Sequence, residues 1–382
     1  MKEHSLSLQY FIYFCIIGFF LPYFNLYCYH LGFSGLQIGL LSSVRSLTLV
    51  VFALSWGSLA DRRRMRHPIY IVCAAVSTLV WALYFYTRQF VPMLVVTFFY
   101  GVFFSPLISF LETATLEQLG EGRRRYGRFR VWGSISFILT VIAVGLVIEQ
   151  TSVDIILGCI LAASAVLTVT AFGMPKTRVR KRPALFSSQA RFLLSPRVLV
   201  FLACAGMMLV SHGAYYGFFS IHLEHLGYGP LFIGITWALA AIAEIFVMLK
   251  SEVILRRFNL EKVLLFSFIV AVVRWGFLSF VVSAPAILLT QVLHAVTYGA
   301  FHIASVLYMD QLSPKGSKTL GQALNNSLTY GLGLMLGFFI SGALYQCCGG
   351  FSMFVFSAAV AAVAGIVFWA MSGRERGIGH GA

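Results

Sequence analysis

Stretches of about 20 apolar residues recur from one end of the chain to the other, and that recurrence limits the fold before any motif is read. A helix that crosses a bilayer needs about 20 such residues. Twelve runs meet the requirement: 8–29, 37–60, 68–86, 91–116, 131–149, 154–173, 198–223, 231–250, 263–282, 286–309, 321–346 and 351–372. Hydrophobic types make up 59% of the 382 residues and charged types 11%, against about 25% charged in soluble domains. A water-facing surface cannot be assembled from this alphabet. A soluble enzyme, a nucleic-acid module and a disordered protein are therefore excluded. Closed β-barrels also span membranes, but their short alternating segments do not resemble these runs. The expected fold class is an all-α membrane protein of twelve transmembrane helices.

The net charge of +15 would fit a nucleic-acid partner if the charges formed one patch, but they do not. Lys and Arg gather in short segments between apolar runs, as in Asp61-Arg62-Arg63-Arg64-Met65-Arg66 and Arg123-Arg124-Arg125. Cytoplasmic loops of membrane proteins are marked this way. With both termini cytoplasmic, every Lys and Arg except Arg45, Arg88 and Arg274 falls on that side, and the reverse topology inverts the bias. The expected location is the plasma membrane, the inner one in a bacterium. The first run is read as a retained helix, since many spans follow it and no small-residue cleavage site is evident. The seven cysteines (Cys15, Cys28, Cys73, Cys159, Cys204, Cys347, Cys348) show no metal-ligand spacing. The vicinal pair Cys347-Cys348 reads as packing, as buried cysteines usually do. Neither a metal nor a cofactor is expected.

The longest basic connection, 174–197, contains three prolines and falls mid-chain, and the sequence repeats across it. Tyr29-His30-Leu31-Gly32-Phe33 recurs as Glu224-His225-Leu226-Gly227-Tyr228, and Ile38-Gly39 as Ile233-Gly234. Trp81 recurs as Trp275. Tyr100-Gly101 with Phe103 recurs as Tyr298-Gly299 with Phe301, and there Glu112 meets Asp310. Each half holds six spans, an even number, so the halves repeat in parallel orientation. The expected domains are a six-helix bundle over 1–173, a cytoplasmic linker over 174–197 and a second bundle over 198–382. Parallel repeats of this kind place a transporter's substrate site between the bundles. A pore or structural protein can also be duplicated, but a long basic linker between similar bundles fits alternating access better.

Gly57-Ser58-Leu59-Ala60-Asp61-Arg62, followed by Arg66, resembles the loop 2–3 signature of the major facilitator superfamily, with Arg64 where the usual later glycine stands. Gly127-Arg128-Phe129-Arg130-Val131-Trp132-Gly133-Ser134 and Gln291-Val292-Leu293-His294 resemble the branch that holds lactose permease and the phenylpropionic acid permeases. Ala214-Tyr215-Tyr216-Gly217-Phe218 and Arg274-Trp275 look most like the phenylpropionate members. The similarity covers nearly the whole chain.

Five charged side chains lie within spans or at their cytoplasmic edges: Arg45, Glu112, Arg130, Glu244 and Arg274. Facing lipid, five such groups would cost about 12–17 kcal/mol on the insertion scale, as much as the whole stability of a typical domain. They are expected to face the interior. At a rise of about 1.5 Å per residue, Arg45, Glu244, Arg274 and His294 come out near the midplane. In the lactose permease branch an acid on the eighth helix and an arginine on the ninth serve substrate binding and proton coupling, and Glu244 and Arg274 match those positions. The tenth-helix histidine of the branch matches His294. Three residues later that branch has its proton-carrying carboxylate and this chain has Thr297, so a coupled proton falls to Glu244 or His294. His302, on broadly the same face as His294, and His212 are further proton-coupling candidates. Structural ion pairs, and histidines bonded to backbone carbonyls, are the plainer alternatives.

Glu112 and Arg130 resemble the sugar-binding carboxylate and arginine of the branch, or form a rim salt bridge. Arg45, Trp132, Tyr215 and Asn325 complete the candidate substrate contacts, although in a chain with 15% aromatics most rings only pack or face lipid. Asn325-Asn326 are expected to hydrogen-bond across helices or to substrate, and Gly331, Gly333 and Gly337 to mark close helix contacts. Asp310 is expected at the cytoplasmic end of its helix, in contact with water. Asp61 and Arg62 are candidates for a cytoplasmic gate, against the alternative of a solvated positive loop.

The expectation is a monomeric secondary transporter that carries a small organic solute into the cell with protons by alternating access. Three intramembrane arginines against two carboxylates favour a monoanion, and an aromatic carboxylate fits both that balance and the resemblance. Sugars and nucleosides stay open, as does proton-driven efflux. A membrane-embedded enzyme is the remote alternative, for which no acyltransfer or zinc-like cluster appears. No nucleic-acid partner is expected.

Overall fold

The computed structural model describes residues 2–120, 125–175, 193–314 and 317–378, all helices and connecting turns. The helices are α1 (Lys2–His30), α2 (Gly35–Arg63), α3 (Arg66–Ala82), α4 (Phe90–Phe104), α5 (Pro106–Leu119), α6 (Tyr126–Gln150) and α7 (Ile155–Ala171). They continue with α8 (Pro196–His225), α9 (Pro230–Arg257), α10 (Leu260–Phe280), α11 (Ala284–Val292), α12 (Phe301–Leu312), α13 (Lys318–Asn325) and α14 (Leu334–Ile378). π-Helical turns, Ala295–Ala300 and Asn326–Gly333, join α11 to α12 and α13 to α14. Most of the expected linker, and Arg123 and Arg124, lie outside the described residues.

Ten helical stretches among the described residues are long and apolar enough to cross a membrane. The expected twelve differ from this number at two places. α7 has only 17 residues. The expected eleventh and twelfth spans run together over Leu320–Ser372, interrupted at Gly349, whose backbone leaves the helix with φ 75° and ψ −175°. Beside that break Cys347 and Cys348 are both exposed, which corrects the expectation that they pack.

The repeated sequence is a repeated structure. Gly32 and Gly227 end α1 and α8 at φ 82° and 86°, in the left-handed region where a Cβ is costly. The same closing bonds follow, Phe33 N–H to Cys28 C=O at 3.2 Å and Tyr228 N–H to Leu223 C=O at 3.0 Å. Trp81 and Trp275 are both fully buried; their indole N–H groups reach Leu157 C=O at 3.0 Å and Ser211 Oγ at 3.2 Å. Where the chain must start a helix it uses local acceptors. Ser34 and Gln37 form a reciprocal capping box on α2, and Asn259 accepts from Lys262 N–H at the start of α10.

The chain packs as two compact units, Met1–Arg182 with Ser220–Ala238, and Pro183–Phe219 with Leu239–Ala382. In the first, α1 lies against α6 and α7, and α2 against α4. The hairpin tip 220–238 joins this unit through a reciprocal exchange between repeat-equivalent residues: Tyr29 bonds His225 at 2.6 Å and His30 bonds Glu224 at 2.8 Å. In the second unit α10 packs on α14 and α12. There α8 and α14 approach so closely that a Cβ on Gly213 would lie 2.2 Å from the backbone of Gly337. Large apolar side chains such as Leu79, Val91, Leu249 and Phe280 remain exposed, the surface that a lipid solvent accepts.

Candidate functional site

Arg274 is the centre of the second unit. It is fully buried, and a charge that deep persists only where hydrogen bonds replace its hydration. Nε donates to Thr290 C=O at 2.9 Å, Nη1 to His294 Nδ1 at 3.0 Å and Thr297 Oγ1 at 3.1 Å, and Nη2 to Gln291 Oε1 at 3.4 Å. Tyr215 holds the far side of Gln291, donating to the same Oε1 at 3.0 Å. The rings of Tyr215 and Trp275 lie 4.4 and 4.5 Å from the guanidinium carbon, within cation–π range. The structure thus brings the candidates Arg274, His294 and Tyr215 into one network. Of their additional partners, Gln291 and Thr297 flank His294 at three-residue spacing on one apolar run, with Thr290 beside Gln291, a polar stripe that the sequence alone does not tie to Arg274.

A guanidinium donates and never accepts, so Nδ1 of His294 is the acceptor. Neutral His294 accordingly carries its proton on Nε2, the nitrogen that faces Glu244 Oε2 across 3.9 Å. Glu244 is half-buried and packs against Gly299 of the π-helical turn. The turn begins immediately after His294; such turns often occur at functional sites. From there His294, Tyr298 and His302 form a column of nearly parallel rings, 5.3 and 6.1 Å apart, and His302 bonds the Tyr330 hydroxyl.

The other expected residues of this unit are held by the protein itself. His212 donates from Nδ1 to Met208 C=O at 2.8 Å, while its buried Nε2 has no hydrogen-bond partner among the described residues. Asn325 exchanges bonds with Ser305 and Thr329 and is fully buried; Asn326 is exposed. Asp310 sits near the end of α12, substantially exposed, and pairs with Lys318.

In the first unit Arg45 is half-buried with its guanidinium 4.8 Å from the Phe20 ring. Arg130 lies over Phe14 at 4.0 Å, and Glu112 accepts from the Tyr126 hydroxyl at 3.3 Å. Glu112 and Arg130 form no ion pair within 4 Å among the described residues, so the rim salt bridge is not made. Trp132 is 45% exposed and makes no ring contact among the described residues; its register on α6 turns it away from the face that Gly133 packs on Phe14.

At the α2–α3 turn the gate residues separate. Asp61 accepts from Arg66 Nε at 2.6 Å, and Arg66 also pairs with Glu117 of α5, while Arg62 is exposed. Arg64 caps α2 at φ 55°. This is where the resembled motif has glycine, and the left-handed backbone explains why. Asp61 is thus paired within the first unit, through Arg66 to Glu117, and Arg62 takes no part in that link.

The profile of the MFS_1 like family matches residues 4–356. A protein of Escherichia coli (strain K12) named probable 3-phenylpropionic acid transporter is 28% identical over 353 residues, covering 90% of this chain and 91% of that one. The maltose permease of Geobacillus stearothermophilus is 23% identical, covering 99% and 97%. The crystal structure of the nucleoside transporter NupG superposes with a TM-score of 0.85 at 19% identity, covering 97% and 98%, and shares the fold. The chain therefore belongs to the MFS_1-like family of the major facilitator superfamily, a family of transporters and not of enzymes: it is an all-helical, integral multi-pass membrane transporter of a small organic solute.

Proposed function

We propose that the chain takes up a small aromatic monocarboxylate together with a proton by alternating access. Twelve spans with both termini cytoplasmic are part of this reading: α7 counts as a short span, and the break at Gly349 divides the last helical stretch into two. The observation that carries the proton coupling is the chain Arg274–His294–Glu244. His294 already accepts from Arg274, so a second proton on its ring would break that bond. Glu244 is left as the group that takes and releases a proton, with His294 donating to its charged form. His302 with Tyr330 continues the polar path. Arg66, between Asp61 and Glu117, ties α2, α3 and α5 together as a cytoplasmic latch.

The substrate class is supported by charge and by kinship. Arg45, Arg130 and Arg274 outnumber Glu112 and Glu244, and the relative from E. coli bears an aromatic acid in its name. The test is uptake into proteoliposomes of 3-phenylpropionate, a purine nucleoside and maltose, with and without an inward proton gradient. Gradient-driven accumulation of the aromatic acid is the expected result. Accumulation of the nucleoside or the sugar alone replaces the substrate, accumulation indifferent to the gradient removes the coupling, and net movement against the expected direction makes the protein an exporter.

A further inference from the structure

We infer that Arg45, in the first unit, binds the solute's carboxylate, and that Arg274 does not. The inference rests on the aromatic-acid reading above and names the subsite within it. An arginine recognises a carboxylate with two adjacent N–H groups in a fork. Arg274 has no such pair to offer: four of its five N–H groups are engaged by fixed acceptors, Tyr215 and Trp275 pack on the guanidinium, and the side chain is fully buried. Its charge organises Gln291, His294 and Thr297.

Arg45 is in the opposite condition. It is half-buried and its guanidinium touches the face of Phe20; the backbone C=O accepts from Thr48 Oγ1 at 2.8 Å, but no hydrogen bond or ion pair engages the guanidinium among the described residues. Tyr13 and Tyr100 lie within electrostatic reach of it. The Tyr100 hydroxyl is buried with no hydrogen-bond partner, and the Tyr13 hydroxyl makes no hydrogen bond among the described residues. Tyr84, also within reach, spends its hydroxyl on Thr97. Glu112 and Arg130 act on Tyr13 as well, and Glu112 accepts from Tyr126 without pairing to Arg45. The group around Arg45 thus holds a guanidinium and two hydroxyls able to donate, with no carboxylate paired to the arginine among the described residues, which is the complement of an anionic oxygen.

The rings around it favour a flat ligand. Phe20 and Tyr100 are stacked at 15°, Tyr100 and Phe104 at 18°, and Tyr13 and Phe104 at 10°. Near-parallel rings beside the guanidinium form a flat aromatic wall, against which the ligand's ring would lie with its carboxylate at the Arg45 end. The ligand class is an aryl or arylalkyl monocarboxylate.

The experiment measures binding to the purified full chain by calorimetry, using 3-phenylpropionate against its neutral amide and benzoate against benzamide. In the wild type each acid binds more tightly than its amide. Arg45→Gln weakens acid binding about tenfold or more, the loss expected for a charge-assisted fork, and leaves amide binding within about twofold. Tyr100→Phe removes one hydroxyl with little risk to folding and lowers only the acid affinity. Arg45→Lys, which keeps the charge but not the fork, recovers part of the preference and serves if Arg45→Gln does not fold. Acid affinity unchanged in both Arg45 variants overturns the assignment, as does wild-type binding of acids no tighter than amides. Arg45-dependent benzoate binding in a protein that accumulates no aromatic acid upholds the subsite and removes the solute reading. Accumulation of 3-phenylpropionate with affinity indifferent to Arg45 does the reverse.

Discussion

Arg274 donates from Nη1 to Nδ1 of His294 at 3.0 Å, and that bond sets which imidazole nitrogen is presented to Glu244. The acceptor role of Nδ1 is separable from the ring itself. His294→Asn can return an oxygen near Nδ1, whereas His294→Leu leaves a buried guanidinium N–H without its acceptor. Thermal unfolding in detergent should place the Asn variant within about 1 kcal/mol of wild type and the Leu variant about 2–3 kcal/mol below it. Equal loss in both would mean that the bond contributes little.

Glu244→Gln keeps the shape of the side chain and removes its titration. Solute counterflow, which needs no net proton movement, should persist, while uptake driven by an imposed pH gradient falls by about tenfold or more. Gradient-driven uptake at the wild-type rate would take the proton away from Glu244.

Arg66 is 7% exposed between Asp61 and Glu117. Arg66→Met leaves two carboxylates facing a buried apolar side chain and should cost about 3–5 kcal/mol. Arg62 is exposed, so Arg62→Ala should stay within about 0.5 kcal/mol. Comparing the two variants by thermal unfolding separates a latch built on Arg66 from one built on the general positive charge of the loop.

Arg64 closes α2 at φ 55°, a conformation that costs a residue with a Cβ about 1–2 kcal/mol. Arg64→Gly should relieve most of that and raise the unfolding midpoint, and Arg63→Gln, which removes one charge from the same loop without touching the left-handed position, reports the effect of the lost charge independently. A lower midpoint for Arg64→Gly would show that the arginine side chain stabilises the turn more than its backbone strains it.

Gly213 and Gly337 let α8 and α14 touch backbone to backbone. Gly213→Val must push the helices apart and should cost about 3 kcal/mol, seen as a lower unfolding midpoint and reduced yield of folded protein. Gly276 has open space at its Cβ position, so Gly276→Ala serves as the control with a small effect.

The sequence by itself determined the solvent, the helical class and the internal repeat, because each depends on residues close together along the chain. Run length decides whether a helix can cross lipid, and the Leu-Gly at 31–32 and 226–227 decides where the first helix of each half stops. It also named Arg274, His294 and Glu244, since a charge inside an apolar run is legible without coordinates. What only the tertiary structure decided was which donors are already spent. Arg45 and Arg274 look alike in an apolar run, yet the Arg274 guanidinium is engaged by four neighbours drawn from residues 290–297 and the Arg45 guanidinium has no hydrogen-bonding partner among the described residues. Asn325, His212 and Arg62 followed the same rule: their partners, or the lack of them, come from helix register and from packing between helices. Hydrogen bonding acts over about 3 Å, and no spacing along the sequence measures a distance that short between segments brought together only by folding.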